Sequence, residues 1–282
     1  MSGTLYVVAT PIGNLEDITL RALRVLREVA VIAAEDTRRT ARLLQHHGIP
    51  TPTISFHQHN ARSRTAQLVA RLEAGHGVAV VTDAGTPGVS DPGLELVAKA
   101  IERGIQVEPI PGPSAPLAAL VASGFPMMPF TMFGFAPSRA KDRIRWLQNI
   151  VGTPHTFSFF EAPHRIRRTL TEGAMLFGIR PIVAARELTK MHQEFLRGTA
   201  TELTERISEP RGEYTIVVGP EVNSLQDNRI AVHDDVVADD FWRLTESGEY
   251  SRRDVVKEIA RRSGRSSKDI YSAIERAKKS PE

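Results

Sequence analysis

A chain of 282 residues, 41% hydrophobic and 24% charged, is long enough for about two globular domains. It contains no cysteine, which excludes disulfides, cysteine–zinc sites and a thiol nucleophile. No uninterrupted apolar run approaches the ~20 residues of a membrane span. The N-terminus enters a strand pattern at once, without a signal core, so a cytoplasmic location is expected. The net charge of +3 is unevenly spread: residues Ser251–Glu282 carry ten Lys and Arg against five acids, a net +5, which leaves the other 250 residues at −2. A basic tail points to a polyanionic partner, although a charge run also suits a solvated helix face.

In chain order, strand Leu5–Thr10 leads to a helix over Thr19–Val29, where Leu20, Leu23, Leu26 and Val29 recur at helical spacing. Val31–Ala34, Thr53–His57, Val78–Thr82 and Val107–Ile110 read as further strands, with helices near Ala61–Glu73 and Leu94–Arg103. Gly75, Gly77 and Gly104 mark helix ends. This alternation predicts a largely parallel sheet covered on both faces. Gly112–Ser123 is a connector that becomes a helix, and a domain boundary is expected close to Pro113. Gly124–Pro137 is rich in Phe, Met, Pro and Gly, and its Met127, Met128, Phe130, Met132, Phe133 and Phe135 read as core or a subunit contact rather than a cofactor box. Then follow a helix Arg139–Ile150, strand Thr156–Phe160, helix Arg165–Phe177, strand Ile182–Ala185, the stretch Phe195–Thr201, a short helix near Glu202–Ser208 and strand Tyr214–Val218.

From Asn223 the composition turns polar and acidic, as in a linker, before two short helices in Ser251–Lys278. Ser251 with Asp254, and Ser266 with Asp269, have capping-box spacing. Two helices joined at Ser263-Gly264-Arg265 resemble half of a helix-turn-helix, a weak DNA-binding signal. The expected domains are therefore an N-terminal α/β domain at 1–113, a C-terminal α/β domain at 114–222, and a linker with a basic helical extension at 223–282.

Three glycine- and proline-rich turns follow apolar strands: Ala9-Thr10-Pro11-Ile12-Gly13-Asn14, Asp83-Ala84-Gly85-Thr86-Pro87-Gly88 and Pro111-Gly112-Pro113-Ser114-Ala115. Ligands of parallel α/β sheets bind beyond the carboxyl ends of the strands. Glycine lets backbone approach a ligand there, and proline fixes the turn. No P-loop and no G-x-G-x-x-G opening a helix is present, so the turns predict a cradle for a small, partly polar cofactor that is not gripped by its phosphates.

Four further clusters carry chemistry. Asp83 can accept hydrogen bonds from a ribose or an amine, or close only a local Asx turn. Glu35-Asp36-Thr37-Arg38-Arg39 can present arginine forks to phosphate, or form a capped helix start with an ion pair. Glu161-Ala162-Pro163-His164-Arg165 and Arg186-Glu187-Leu188-Thr189-Lys190 each place acid and cation just past a strand, with His164 able to shuttle protons or simply cap a helix. His57-Gln58-His59 has metal-compatible spacing but no third ligand nearby, so no metal is expected.

Together with the three turns, with the run on from Gly88 through Val89-Ser90-Asp91-Pro92-Gly93, and with the four clusters in this order, the chain resembles the tetrapyrrole-methylase-fold methyltransferases over residues 1 to about 220. The resemblance implies two α/β domains of that fold with a cofactor cleft between them, a small helical C-terminal extension, and a homodimer. It implies S-adenosyl-L-methionine as cofactor and, from its RNA-modifying branch, 2′-O-methylation of a cytidine ribose in the decoding region of 16S ribosomal RNA, free or within the 30S particle. Carried over by motif, the cofactor contacts are Pro11, Asp83, Gly85, Thr86, Val89, Ser114 and Ala115, with Glu161, Ala185, Tyr214 and Thr215 near them. The loop at 83–88 departs from the Gly-Asp-Pro sequence of the tetrapyrrole enzymes, which sets aside, without removing, a uroporphyrinogen- or precorrin-type acceptor. A DNA-binding regulator that senses a ligand is the third reading.

Methyl transfer from a sulfonium to oxygen is an in-line displacement, in which alignment contributes much of the acceleration. A weakly acidic ribose hydroxyl needs a nearby base or cation, and Glu35, Glu161, His164, Glu187 and Lys190 are the candidates. Arg38, Arg165 and Arg186, with Arg252, Arg253, Arg261 and Arg262 of the tail, are the expected RNA-phosphate contacts.

Overall fold

The computed structural model describes residues 2–88, 93–208, 210–221, 234–246, 251–263 and 266–277. The chain divides into two compact units, Met1–Gly219 and Pro220–Glu282.

The first unit holds two five-stranded sheets. In the first, strands β1 (Leu5–Val8), β2 (Val31–Ala34), β3 (Thr53–Ser55), β4 (Val78–Val81) and β5 (Val107–Ile110) lie in the order β3-β2-β4-β1-β5, all parallel. Val31–Ala34 and Val78–Val81 are buried at every position, which is why they read as unbroken apolar runs. Helices α1 (Leu20–Glu28) and α2 (Thr37–His46) cover one face, where Leu26 and Leu43 meet Val8 and Ile32. Helices α3 (Ala61–Glu73) and α4 (Leu94–Glu102) cover the other, where Leu68 and Leu96 meet Leu5 and Val80. Thr19 and Asp36 start α1 and α2 by accepting from Ala22 N and Arg38 N, so each cap meets an otherwise orphaned amide.

After α5 (Ala115–Ser123), whose C-terminus stops at left-handed Gly124, the second sheet is built from β6 (Phe130–Phe135), β7 (Thr156–Glu161), β8 (Ile182–Arg186), β9 (Glu194–Gly198) and β10 (Tyr214–Val218). Its order is β6-β7-β10-β8-β9. Only β6 and β7 run parallel; β10 is antiparallel to both its neighbours, and β9 to β8. The parallel arrangement expected from the alternation of the first half is found in the first sheet, and the less regular second half forms a mixed sheet. The last strand re-enters between two earlier ones, an ordering that apolar periodicity does not encode. The apolar stretch expected as core or contact also proves to be the edge strand β6. Helices α6 (Ala140–Ile150), α7 (Pro163–Phe177) and α8 (Ala200–Arg206) pack on one face through Leu147, Leu170 and Leu203. The opposite face packs on α5 through Ala119 and Leu120.

The second unit is a three-helix cluster of α9 (Asp234–Glu246), α10 (Arg252–Ser263) and α11 (Ser267–Ala277). Its core joins Val237 and Phe241 to Val255, Ile259, Ile270 and Ile274. The stretch expected as an acidic linker thus contains a helix, because Val237 and Phe241 are spaced i, i+4 beneath the acids. Both expected capping pairs form: the Asp254 and Asp269 amides donate to the Ser251 and Ser266 hydroxyls. The turn residues Gly264 and Arg265 lie outside the described residues, as do the side chains of Arg261 and Arg262. No described helix is long and apolar enough to cross a membrane.

Candidate functional site

The three turns share one rim. Thr10 and Gly85 exchange backbone hydrogen bonds of 2.9 and 3.0 Å, and Thr10 Oγ1 donates to Thr82 O at 3.0 Å. Thr86 Oγ1 donates to Pro113 O at 3.3 Å, which ties the second turn to the third. Gly85 sits at φ +83°, a conformation glycine adopts without a Cβ penalty. A Cβ on Gly112 would lie 3.0 Å from that of Ala9, so the third turn presses against the first.

Asp83 does more than close its own turn. Its Oδ1 accepts from Asp36 N at 3.0 Å, its Oδ2 lies 3.5 Å from Arg39 Nη1, and Asp83 N donates to Glu35 Oε2 at 3.2 Å. The ends of β2 and β4 are thereby cross-linked into an acidic ledge. Asp36 faces away from this ledge and holds Arg38 through Nε and Nη2 at 3.1 and 2.8 Å. That guanidinium drives the Asp36 carboxyl far below the usual carboxylate range, and Asp36 raises Arg38 in return.

The second sheet supplies the facing wall. Its antiparallel β10 sets Tyr214 opposite both Glu161 and Arg186, so the start of one strand arrives beside the ends of two others. Glu161 has a fully buried side chain. Its Oε1 accepts from Ala162 N at 2.7 Å and from Arg165 Nε at 2.8 Å, with Arg165 Nη2 at 2.7 Å. Its Oε2 accepts from Thr169 Oγ1 at 2.5 Å. With both oxygens taken, Glu161 is placed to hold the β7–α7 turn rather than to accept a substrate proton.

After β8, Glu187 and Thr189 adopt left-handed φ values of +48° and +67°. For a β-branched residue such as Thr189 this is strained backbone. Glu187 Oε1 accepts from Lys190 Nζ at 2.9 Å and from Glu213 N at 3.3 Å. The hydrogen bond from Lys190 holds the Glu187 carboxyl below its ordinary value, against the opposing effect of burial. Thr189 Oγ1 accepts from Asn14 N at 3.0 Å, joining the β8 loop to the β1 turn. Gly13 makes that approach possible: a Cβ there would lie 2.6 Å from Lys190 Cγ and 2.8 Å from Leu188 O.

These walls enclose a cavity of about 400 Å³, within the size range of small-molecule sites. Of the expected cofactor contacts, Asp83, Gly85, Thr86, Ser114, Ala115, Glu161, Tyr214 and Thr215 line it. Pro11 is buried and absent from the lining, where its neighbour Ile12 stands instead. Ala185 is fully buried in the cluster under α5, and Val89 lies outside the described residues. Among the proton-handling candidates Glu35, Glu161, Glu187 and Lys190 line the cavity. His164 does not: it is exposed in the first turn of α7. Arg165 is engaged by Glu161, Arg38 by Asp36, and Arg186 faces a different pocket. Arg252 and Arg253 are exposed on α10 of the second unit, with Arg252 over the Trp242 ring.

Arg39, Phe160 and Leu188, which the sequence reading placed in its strand-end clusters without a role at the cofactor, line it too, and the reading missed Phe135 and Glu213. For Phe160 a signal existed, since strand alternation puts it on the face opposite Phe159 and Glu161.

Residues 4–204 match the family model of Tetrapyrrole (Corrin/Porphyrin) Methylases. The chain is 46% identical over 269 residues to "Ribosomal RNA small subunit methyltransferase I" of Micromonospora olivasterospora, which covers 92% of this chain and 83% of the relative. It is 48% identical over 219 residues to the Synechocystis sp. protein of the same name, covering 77% and 78%. Among solved structures, uroporphyrin-III C-methyltransferase from Thermus thermophilus complexed with S-adenyl homocysteine aligns at a TM-score of 0.55 and 21% identity, over 79% of this chain and all of that one. The sheets, the rim of turns and these matches have one conclusion: the chain belongs to the tetrapyrrole methylase family.

Proposed function

We propose that this protein is an S-adenosyl-L-methionine-dependent methyltransferase that methylates a cytidine ribose 2′-hydroxyl in the decoding region of 16S ribosomal RNA. The observation that carries the reading is identity of 46% along 92% of the chain to a relative named for small-subunit ribosomal RNA methylation. A match of that length includes part of the second unit.

The cavity suits the cofactor. Its apolar walls, Ile12, Ala115 and Leu188, fit flat and aliphatic parts, while the ledge of Glu35 and Asp83 suits cationic and hydroxyl groups. The N-terminus of α5 opens on the cavity at Ser114 without a side-chain cap, and since Pro116 has no N–H it is the Ala115 amide that suits a carboxylate. When bound, the cofactor supplies an electrophilic methyl group on a sulfonium. Asp83, Gly85, Thr86, Ser114, Ala115 and Thr215 hold it, and the turns exclude water around it. Of the proton-handling candidates, Glu187 and Lys190 face the cavity with charge to offer the acceptor. Glu187, kept anionic by Lys190, receives the ribose proton, and Lys190 steadies the oxygen's developing charge.

The RNA is held by Arg38, once it exchanges its carboxylate for a phosphate, by the exposed edge of Arg165, which keeps its pair with Glu161, and by Arg252, Arg253, Arg261 and Arg262 of the extension. A second copy of the chain packs on the edge strand β6 and the turn before it, where Phe135 is 56% and Met128 89% exposed, giving a homodimer. An enzyme of this substrate works in the cytoplasm.

The test is incubation with labelled S-adenosyl-L-methionine and small ribosomal subunits lacking the modification. Label is expected in a nucleotide whose 3′ linkage resists alkali. Label in a uroporphyrinogen acceptor and none in RNA would transfer the reading to the tetrapyrrole enzymes, whose solved members share this fold at 21% identity.

A further inference from the structure

A second pocket, of about 270 Å³, opens on the α8 face of the second sheet. Among the described residues, three guanidiniums line it, those of Arg186, Arg206 and Arg211, beside the carboxylate of Glu194. Glu194 Oε2 pairs with Arg186 Nε at 2.7 Å. Arg206 is fixed at the pocket wall by donating from Nη1 to Arg197 O at 2.6 Å. Tyr214 stands at the back. Its side chain packs in the cluster of Leu203 and Ile207, it is 1% exposed, and its hydroxyl is buried with no hydrogen-bond partner.

A buried phenol without a partner is costly, and buried polar groups are nearly always satisfied. At the back of a cationic pocket, the group that satisfies it is an anion offering several acceptor oxygens. Arginine forks match the tetrahedral oxygens of phosphate. The cofactor cavity does not account for this arrangement, because Tyr214 borders both pockets while none of the three arginines lines the cavity. We propose that this pocket is a phosphate site, and that it takes a backbone phosphodiester of the RNA acceptor outside the methyl-transfer cavity. The choice of RNA as the source rests on the function proposed above; the phosphate chemistry does not.

The experiment uses the full chain and two variants, Arg206→Gln/Arg211→Gln and Tyr214→Phe. In the first arm, inorganic phosphate is titrated against sodium chloride at matched ionic strength while melting is followed. The wild type is expected to gain stability with phosphate, and both variants to lose that gain. In the second arm, affinity for small ribosomal subunits is measured against salt. The arginine variant is expected to bind about tenfold more weakly, with a log–log salt slope shallower by about 0.7, one single-strand phosphate, and with unchanged affinity for S-adenosyl-L-methionine. A phosphate response absent from the wild type overturns the site. A phosphate response lost in the variants while subunit binding and its salt slope stay unchanged overturns the RNA source and leaves a free phosphate or nucleotide as the ligand. Failure of the wild type to methylate any subunit would refute the proposed function while leaving the first arm intact.

Discussion

Glu161 is the residue on which an anchoring role and a catalytic role make opposite predictions. Glu161→Ala removes the acceptor of Ala162 N, of the Arg165 guanidinium and of the fully buried Thr169 hydroxyl. Removing one partner of a buried ion pair costs about 3–5 kcal/mol. Arg165 keeps 19% side-chain exposure and regains some hydration, so the lower end, about 3 kcal/mol, applies. For a unit of this size each kcal/mol moves the melting temperature by about 2–4 °C, which gives a fall of about 6–12 °C. Glu161→Gln keeps an oxygen for Ala162 N and Arg165 and an amide that donates to Thr169, so its loss is about 1 kcal/mol, or about 2–4 °C. Differential scanning calorimetry reads both, alongside single-turnover methylation. A catalytic base gives the reverse pattern: Glu161→Gln would melt like wild type and lose about 10²–10⁴-fold in rate. That result would refute the anchoring argument.

Gly13→Ala drives a Cβ into Lys190 Cγ and Leu188 O, which separates the β1 turn from the β8 loop. Overpacking of this kind costs about 1–3 kcal/mol, and calorimetric affinity for S-adenosyl-L-methionine should drop by roughly that much. Asp83→Ala should weaken the same affinity while far-ultraviolet circular dichroism stays native, because the lost bonds join strand ends and not the core. Glu187→Gln should lower stability at neutral pH and not in acid. The folded Glu187 carboxyl lies below its ordinary 4.5, so its contribution is complete above that value and vanishes as pH falls through the lowered one. Chemical denaturation of wild type and variant at pH 7 and pH 3 should show the gap narrowing. Removal of residues 223–282 should cut subunit binding and flatten its salt dependence with little change in cofactor affinity, and equal losses in both would mark the extension as structural.

The first sheet was readable because its strands are buried on both faces, so burial writes itself as continuous Val, Ile and Ala runs at 31–34 and 78–81. The second was readable as elements and not as topology. No local pattern says that Tyr214–Val218 re-enters between β7 and β8, since that choice is made by long-range pairing. Strand β6 was hidden because Gly134, at φ +71°, and a register shift between Met132 and Phe135 break its alternation. Helix α9 was hidden by its acids, although Val237 and Phe241 already gave it an apolar face. At the cavity, strand-end turns announced themselves through glycine and proline. Glu213 and Phe135 did not, because they reach the cavity only through the order of strands in the second sheet. His164 looked chemical from its neighbours, but Pro163 opens α7 and leaves His164 on the outer side of the first turn.

The inserted strand also explains how one short segment serves two faces. In a sheet alternate residues point to opposite sides, so Tyr214 turns its phenol toward α8 and the arginine pocket while Thr215 turns toward α5 and the cavity. Gly212, at φ +71°, brings the chain into this position. A Cβ on it would collide with the Glu187 carboxylate, so the glycine leaves the space in which Glu187 meets Lys190 and Glu213. The cavity wall, the strained β8 loop and the back of the cationic pocket are therefore set by the same few residues. Removing the Tyr214 hydroxyl keeps the strand start in place, whereas a Cβ at 212 displaces it and must disturb both.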